Sequence, residues 1–513
     1  MKPAVKKWKK ALIRQRLLVV SLLLVQLFSL LFFITRYSRI FGHMHIILSV
    51  LSIVAALYVI AKEGEPTAKL SWVFLILLVP IFGGFLYLFY AFQYGQKKLK
   101  RQLAHMEKTF MPLFYAELSV LPVLEQQGHE NLPLMRYLQE QCSFPVYANT
   151  ACTYLSPGER FYELLLSELK KAKKYIIIET FIIEEGRMWD GILQILCEKV
   201  KQGVEVRLMY DDVGCFLTLP RDYCETLQGY GIKAKVFNPF RPILSAMQNQ
   251  RDHRKIISID GKVAFTGGSN LADEYINAYQ KHGHWHDSMV CLRGEAAWCL
   301  TLISLQLQDI YAESKDIAAL CPWQDAPNTV ETDGYVQAYA DNPLRSERIG
   351  ASIYLHAIQR AKEYVYINTP YLVVDDTMLR ALKLAAKSGV DVRIVVPNTP
   401  DHPMVHRTTR SFYPQLIKAG VKIYEYAPGF MHSKICLTDD KLAVVGTSNF
   451  DYRSLYQHFE CGVVLYGCSA LAQIKSRYID TLEQCRRVSK EECEHGIWLR
   501  MEQLVLRLFA PMM

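Results

Sequence analysis

A duplication constrains this chain more than any other feature. Residues 171–182, KAKKYIIIETFI, match 360–371, RAKEYVYINTPY, and GVEVRL at 203–208 returns as GVDVRI at 389–394. GIKAKVF at 231–237 pairs with GVKIYEY at 420–426, and DHRKIISIDGKVAFTGGSN at 252–270 pairs with MHSKICLTDDKLAVVGTSN at 431–449. The last pair is offset by 179 residues throughout, the earlier ones by 186 to 189, and all four keep one order. Such a chain is expected to build the same unit twice. Each copy alternates apolar strand-like runs with helical stretches, so the expected fold is α/β, with largely parallel pairing within each sheet. The halves fall at 135–325 and 326–513. Two copies of one polar block suggest a single site shared at their interface.

Ahead of the halves lie three apolar runs, at 17–34, 46–61 and 70–92. Runs near 18 residues suit a bilayer crossing, and the middle one is marginal. The first follows Lys6, Lys7, Lys9, Lys10, Arg14 and Arg16 and ends in Arg36 and Arg39 with no small-residue cleavage site. It therefore reads as a retained anchor and not as a signal peptide. The expectation is a membrane anchor over 1–100 with two or three transmembrane helices, followed by a connector over 101–134.

The net charge of +9 is modest and gathers in this leader and in Lys97, Lys98, Lys100 and Arg101. Cations beside a membrane attract anionic headgroups, although simple topology signals would account for them equally. The soluble part has no dense basic stretch with interleaved aromatics, which argues against a nucleic-acid partner. Thirteen cysteines at irregular spacings, without a C-x-x-C pair, argue against zinc and a disulfide framework and for a reducing compartment. A basic N-terminus with three crossings would put the catalytic part outside, whereas the thiols and the cluster at 97–101 put it inside. The reading adopted is a multi-pass protein of the cell membrane with its catalytic part on the cytoplasmic side.

Each half carries His-x-Lys, four residues, then Asp: His253, Lys255 and Asp260, and His432, Lys434 and Asp439. Ten residues after each Asp comes Asn270 or Asn449, preceded by Ser269 or Ser448 in a Gly-containing turn. On a strand, residues two apart share a face, so imidazole and ammonium should converge on one pocket. Phosphodiester exchange uses such parts. One imidazole attacks phosphorus to give a phosphohistidine, and the other protonates the leaving alkoxide and deprotonates the incoming hydroxyl. The lysines and asparagines, with the serines of the turn, would hold the phosphate oxygens. With ordinary values near 6.5, the two histidines could share one neutral and one cationic form.

Imidazoles in such roles usually need a carboxylate to set the tautomer. Asp287, 34 residues after His253, and Glu460, 28 after His432, are the expected orienting partners. Asp260 and Asp439 complete the catalytic motif, yet beside Gly261 and Asp440 they read more readily as turn residues that hold its shape. His282, His284, His286, His402 and His406 read as ordinary polar surface, and HGHWH lacks the partner cluster that a metal site would need. No metal and no cofactor is expected.

These paired blocks resemble the H-x-K-x4-D signature of the phospholipase D superfamily. Within it, YDDVG (210–214), FNP (237–239), GGSNLADEY (267–275), NTPYL (368–372), GFMHSK (429–434), GTSNFDYRS (446–454) and RLFAPMM (507–513) are similar to the bacterial cardiolipin synthases, over nearly everything from residue 70 onward. The resemblance implies two phospholipase D-like halves around one active site, preceded by N-terminal transmembrane helices. It implies transfer of a phosphatidyl group between two phosphatidylglycerol molecules to give cardiolipin and glycerol, with neither metal nor nucleotide. His253 and His432 would be the catalytic pair; precedent favours the first as nucleophile, whereas the duplicated sequence does not distinguish them. His286 before Asp287, and His458 before Glu460, depart from the Arg and Asn usual there. A lipid hydrolase with the same block, a nuclease and a scaffold without catalysis are the alternatives. An exchange of phosphodiesters is nearly balanced and needs no energy donor, in keeping with the lack of a G-x-x-x-x-G-K-[ST] loop.

Overall fold

The computed structural model describes residues 38–62, 64–79, 83–84, 86–87, 94–114, 120–240, 246–311, 317–323, 330–331, 334–493 and 496–512. They divide into an N-terminal helical segment up to residue 93 and a body from Tyr94 onward.

In the N-terminal segment the helices Ser38–Ala61 and Pro66–Leu78 pack together around Val59, Ile76 and Tyr87, with the Trp72 ring edge-on to Tyr87. Ile47, Leu51, Val54, Leu57, Leu70 and Leu78 point outward and are exposed. Among the described residues, no helix is long and apolar enough to cross a membrane. The apolar run at 17–34 lies outside the described residues.

Among the described residues the body holds two large sheets of matching order and two small two-stranded ones. The first half supplies β1 (Thr150–Leu155), β2 (Tyr175–Thr180), β3 (Glu205–Asp211), β4 (Lys233–Phe237), β5 (Ile256–Ile259), β6 (Val263–Gly267), β7 (His284–His286) and β8 (Met289–Gly294). The second supplies β9 (Tyr335–Asp341), β10 (Tyr364–Asn368), β11 (Leu372–Val373), β12 (Asp391–Pro397), β13 (Lys422–Tyr426), β14 (Gly429–Met431), β15 (Ile435–Thr438), β16 (Leu442–Gly446), β17 (Phe450–Asp451), β18 (Glu460–Tyr466) and β19 (Cys485–Arg487). Sheet order is β1-β8-β6-β5-β2-β3-β4 in one half and β9-β18-β16-β15-β10-β12-β13-β19 in the other. The duplication read from the sequence is thus a duplication of topology.

Pairing within each sheet departs from the largely parallel expectation. Only β2-β3-β4 and β10-β12-β13 run parallel, and the other pairs within the two sheets are antiparallel. The reason is local. The conserved spacing of each polar block is that of a hairpin: β5 turns at Asp260 and Gly261 into β6, and β15 turns at Asp439 and Asp440 into β16. A tight turn can join only antiparallel strands, whereas parallel ones need a helical crossover.

The helix Glu295–Gln308 is buried on nearly every side, against β5, β6 and β8 of the first sheet and β9 of the second. Its sequence, EAAWCLTLISLQLQ, has no polar face, as a helix enclosed all round requires. Beyond this core the halves are joined by backbone. β7 pairs with β14 in parallel, and Asp252 bridges Phe459.

Candidate active site

His253-Arg254-Lys255 and His432-Ser433-Lys434 lead directly into β5 and β15. Each is held by the opposite half. The His253 amide donates to the Phe459 carbonyl at 2.9 Å, and the His432 and Ser433 amides donate to the His286 carbonyl at 2.8 and 3.0 Å. Phe459 and His286 are the residues immediately before Glu460 and Asp287. The side chains repeat this exchange. His253 Nδ1 lies 3.0 Å from both oxygens of Glu460, and His432 Nδ1 lies 2.6 Å from Asp287 Oδ2. The two carboxylates therefore hold imidazoles, but each holds the one from the other half, not the one in its own half. With Nδ1 engaged, Nε2 is the nitrogen left to each ring for chemistry.

Both imidazoles, with Asn270 and Asn449, line one cavity of about 590 Å³. Phe181 stands edge-on to His253 at 5.1 Å, and Trp285 lies 5.0 Å from His432. Burial, then Lys255 and Lys434, pushes His253 well below the ordinary histidine value; burial and then Lys434 bring His432 down to about 4. The carboxylates differ. Burial favours protonation of Asp287, but His432 and Lys434 outweigh it and hold the group below its usual range. Glu460 is lifted by burial to about 7, against the pull of Lys255.

The lysines stand behind the imidazoles and not at the cavity wall. Lys255 Nζ donates to the carbonyl of His253 at 2.7 Å, and Lys434 Nζ donates to the carbonyl of His432 and lies 2.9 Å from its Nδ1. A buried ammonium needs acceptors, and the carbonyl two residues back is within reach. Burial lowers Lys255 to about 8 and Lys434 to about 7. Asn270 is occupied at both ends, accepting from the Ile182 amide at 3.0 Å and donating to Tyr275 Oη at 2.6 Å. Asn449 donates to Asp451 at 3.1 Å. Ser269 and Ser448 are buried in the turns, outside the cavity wall.

Asp260 and Asp439 are not brought to the site. Each sits in the left-handed region, at φ 52° and 53°. The Asp260 carboxylate accepts from the amides of Lys173, Lys174 and Tyr175 at 2.7–2.8 Å, and that of Asp439 from Lys362, Glu363 and Tyr364 at 2.6–3.0 Å. They tie each hairpin turn to the start of β2 or β10, the turn role the sequence favoured for them. Asp260→Ala removes three acceptor contacts and puts a Cβ-bearing residue other than Asn or Asp at positive φ. Thermal unfolding should show a loss of roughly 2 kcal/mol, with turnover per folded molecule retained.

Three features escaped the sequence. Gly268 and Thr447 occupy equivalent positions, yet a Cβ at Gly268 would lie 2.0 Å from Asp287 Oδ1, whereas the Thr447 hydroxyl donates to Glu460. One turn makes room for its carboxylate and the other grips it. His458 is buried in the cavity wall, its ring 5.6 Å from His253. Among the histidines read as polar surface, His282 and His402 line the cavity and His286 is buried, its Nε2 3.1 Å from Thr481 Oγ1.

Among the described residues, His253, His458 and Glu460 could bring ligand atoms within 4.8 Å of one another. A divalent ion there would displace the proton between His253 and Glu460 against the charges of Lys255 and Lys434. The donor set therefore suits a proton better than a metal.

The model described as the PLD-like domain of cardiolipin synthase matches residues 165–287 and 354–483, and one described as a phospholipase D-nuclease N-terminal segment matches 50–90. A cardiolipin synthase of Alkalihalophilus pseudofirmus is 33% identical over 496 residues, covering 95% of this chain and 98% of that one. A second, from Geobacillus sp. strain WCH70, is 34% identical over 485 residues, covering 93% and 95%. Among solved structures, the phosphatidylserine synthase of Haemophilus influenzae superposes with a TM-score of 0.56 at 15% identity, over 74% of this chain and 98% of that one. That likeness is one of fold.

Proposed function

The chain belongs to the cardiolipin synthase family with paired phospholipase D-like domains, and from that membership we infer that it joins two phosphatidylglycerol molecules into cardiolipin and glycerol. The observation that carries the reading is the crossed pair of imidazole–carboxylate contacts opening on one cavity.

In the proposed sequence, Nε2 of one histidine attacks the phosphorus of the first phosphatidylglycerol. The bond to the glycerol oxygen breaks, and glycerol leaves with a proton from the other imidazolium. That imidazole, now neutral, takes the proton from the terminal hydroxyl of the second phosphatidylglycerol. The oxygen so freed attacks phosphorus and expels the histidine. Lys255 and Lys434 supply positive charge behind the rings, Asn270 and Asn449 face the phosphate from the cavity wall while Ser269 and Ser448 shape the turns that carry them, and Asp287 and Glu460 set the tautomers. No step calls for a metal or nucleotide.

Purified full-length protein in phosphatidylglycerol vesicles with EDTA should release cardiolipin and glycerol in equal amounts. Phosphatidic acid as the main product would make the enzyme a hydrolase, with water in place of the second lipid.

The lysines set a pH dependence. Their charged forms attract phosphate, and their values of about 7 and 8 mean that charge is lost as pH rises through that window. kcat/KM, which reports the free enzyme, should fall above about pH 7–8. A bound phosphodiester favours the ammonium form, so the alkaline limb of kcat should lie at higher pH. Coincident limbs in the two profiles would remove the lysines from phosphate binding.

The N-terminal part, 1–100, is proposed as a multi-pass anchor in the cell membrane, joined through a connector at 101–134 to halves at 135–325 and 326–513, with the catalytic part on the cytoplasmic side. What supports the anchor is the outward apolar face of the helices Ser38–Ala61 and Pro66–Leu78.

A further inference from the structure

The cavity is too small for its own substrates. At about 590 Å³ it has the size of a site for one drug-sized molecule. Two phosphodiesters and their glycerol groups fit such a volume, but the acyl chains of two diacyl lipids do not. The chains must stay in lipid while the headgroups reach the histidines, so the mouth itself has to lie against the bilayer.

The mouth is bordered by side chains that suit this. The helix Ile497–Phe509 is amphipathic, yet its apolar stripe faces outward: Met501, Leu504 and Val505, at i, i+3 and i+4, are 54%, 61% and 53% exposed. Its polar residues hold it to the body. Arg507 stacks on the Phe412 ring at 4.6 Å, and Glu502 pairs with Arg407 at 2.7 Å. Ala510, just past its end, lines the cavity. The helix packs on Pro403–Lys418, whose first turn presents Met404, 60% exposed, between the cavity-lining His402 and Val405. From the first half, Val213 also lines the cavity while remaining 40% exposed, and Leu217 stands 50% exposed close by in sequence.

We propose that this rim, the helix Ile497–Phe509 with Met404, Val213 and Leu217, is a lipid-docking surface that seats the cavity mouth on the bilayer. It rests on the reading of the site as a phosphatidyl transferase and adds the surface through which substrate enters. A second copy of the chain is the less apt occupant, because it would close the mouth that two lipids must pass. The apolar stripe would sit at the level of the upper acyl chains, as in-plane amphipathic helices do.

The test uses the full-length chain. Leu504→Trp should show fluorescence quenching by vesicles of phosphatidylglycerol brominated on the acyl chains, beyond that of the parent protein. Combined Met501→Glu, Leu504→Glu and Val505→Glu should cut turnover on vesicles by about tenfold or more, since charges at that depth oppose insertion. Turnover of a short-chain phosphatidylglycerol kept monomeric should be unchanged. Absence of added quenching with vesicle turnover intact overturns the proposal, and so does a change of oligomeric state in the triple variant without quenching. A parent protein that makes cardiolipin from neither substrate defeats the functional reading instead, and the quenching still decides the docking surface.

Discussion

His253→Ala and His432→Ala should each reduce cardiolipin formation by at least about 10³-fold, and the double variant should be scarcely worse than either. The two imidazoles face one cavity, and in the proposed mechanism their roles are complementary, so neither should stand in for the other. Without the nucleophile no phosphohistidine forms. Without the acid–base group the glycerol alkoxide leaves unprotonated and the incoming hydroxyl keeps its proton. Labelled phosphatidylglycerol, quenched within one turnover, should leave label on the protein in one variant only, and that variant retains the nucleophile. Substantial cardiolipin formation by either single variant would end the shared-site mechanism, since one half would then suffice.

Asp287→Asn should be the second most damaging change, lowering kcat by about 10²–10⁴-fold while the fold persists. Asp287 is held in its charged form and lies 2.6 Å from His432 Nδ1. An amide in its place can present N–H to Nδ1, which moves the ring proton to Nε2 and blocks the nitrogen that must act. Glu460→Gln should cost less. Glu460 is raised to about 7 and is already shared between charged and neutral forms near neutrality. The two rate losses can be read from the same vesicle assay. Equal losses would mean that both carboxylates work in the same charge state.

Much of this was legible in the sequence because duplication turns weak signals into strong ones. A lone His-x-Lys says little, but two with matched Asp and Asn identify the block. That one unit is built twice followed from the same repeats; the order of strands within each sheet did not. The direction of pairing did not, because apolar alternation marks a strand without saying which neighbour it joins; only the turn residues Asp260–Gly261 and Asp439–Asp440 carried that information. The carboxylates were found and their exchange was not. Spacing along the chain relates Asp287 to His253 and Glu460 to His432, whereas the docking of the halves relates each to the other ring. Gly268 and Thr447 lay hidden for a similar reason, since a missing side chain and a hydroxyl serve equivalent positions by opposite means. His458 looked like a departure from a family pattern, and its place in the wall appeared only with the cavity.

The exchange of carboxylates also bears on how the enzyme is made. A chain leaving the ribosome completes its first half before the second exists. At that stage His253 has neither Glu460 to hold its ring nor the Phe459 carbonyl to hold its backbone. On the proposed mechanism a nascent half should therefore be inert towards the phospholipids around it, with lipid chemistry beginning only once the finished chain has closed on itself.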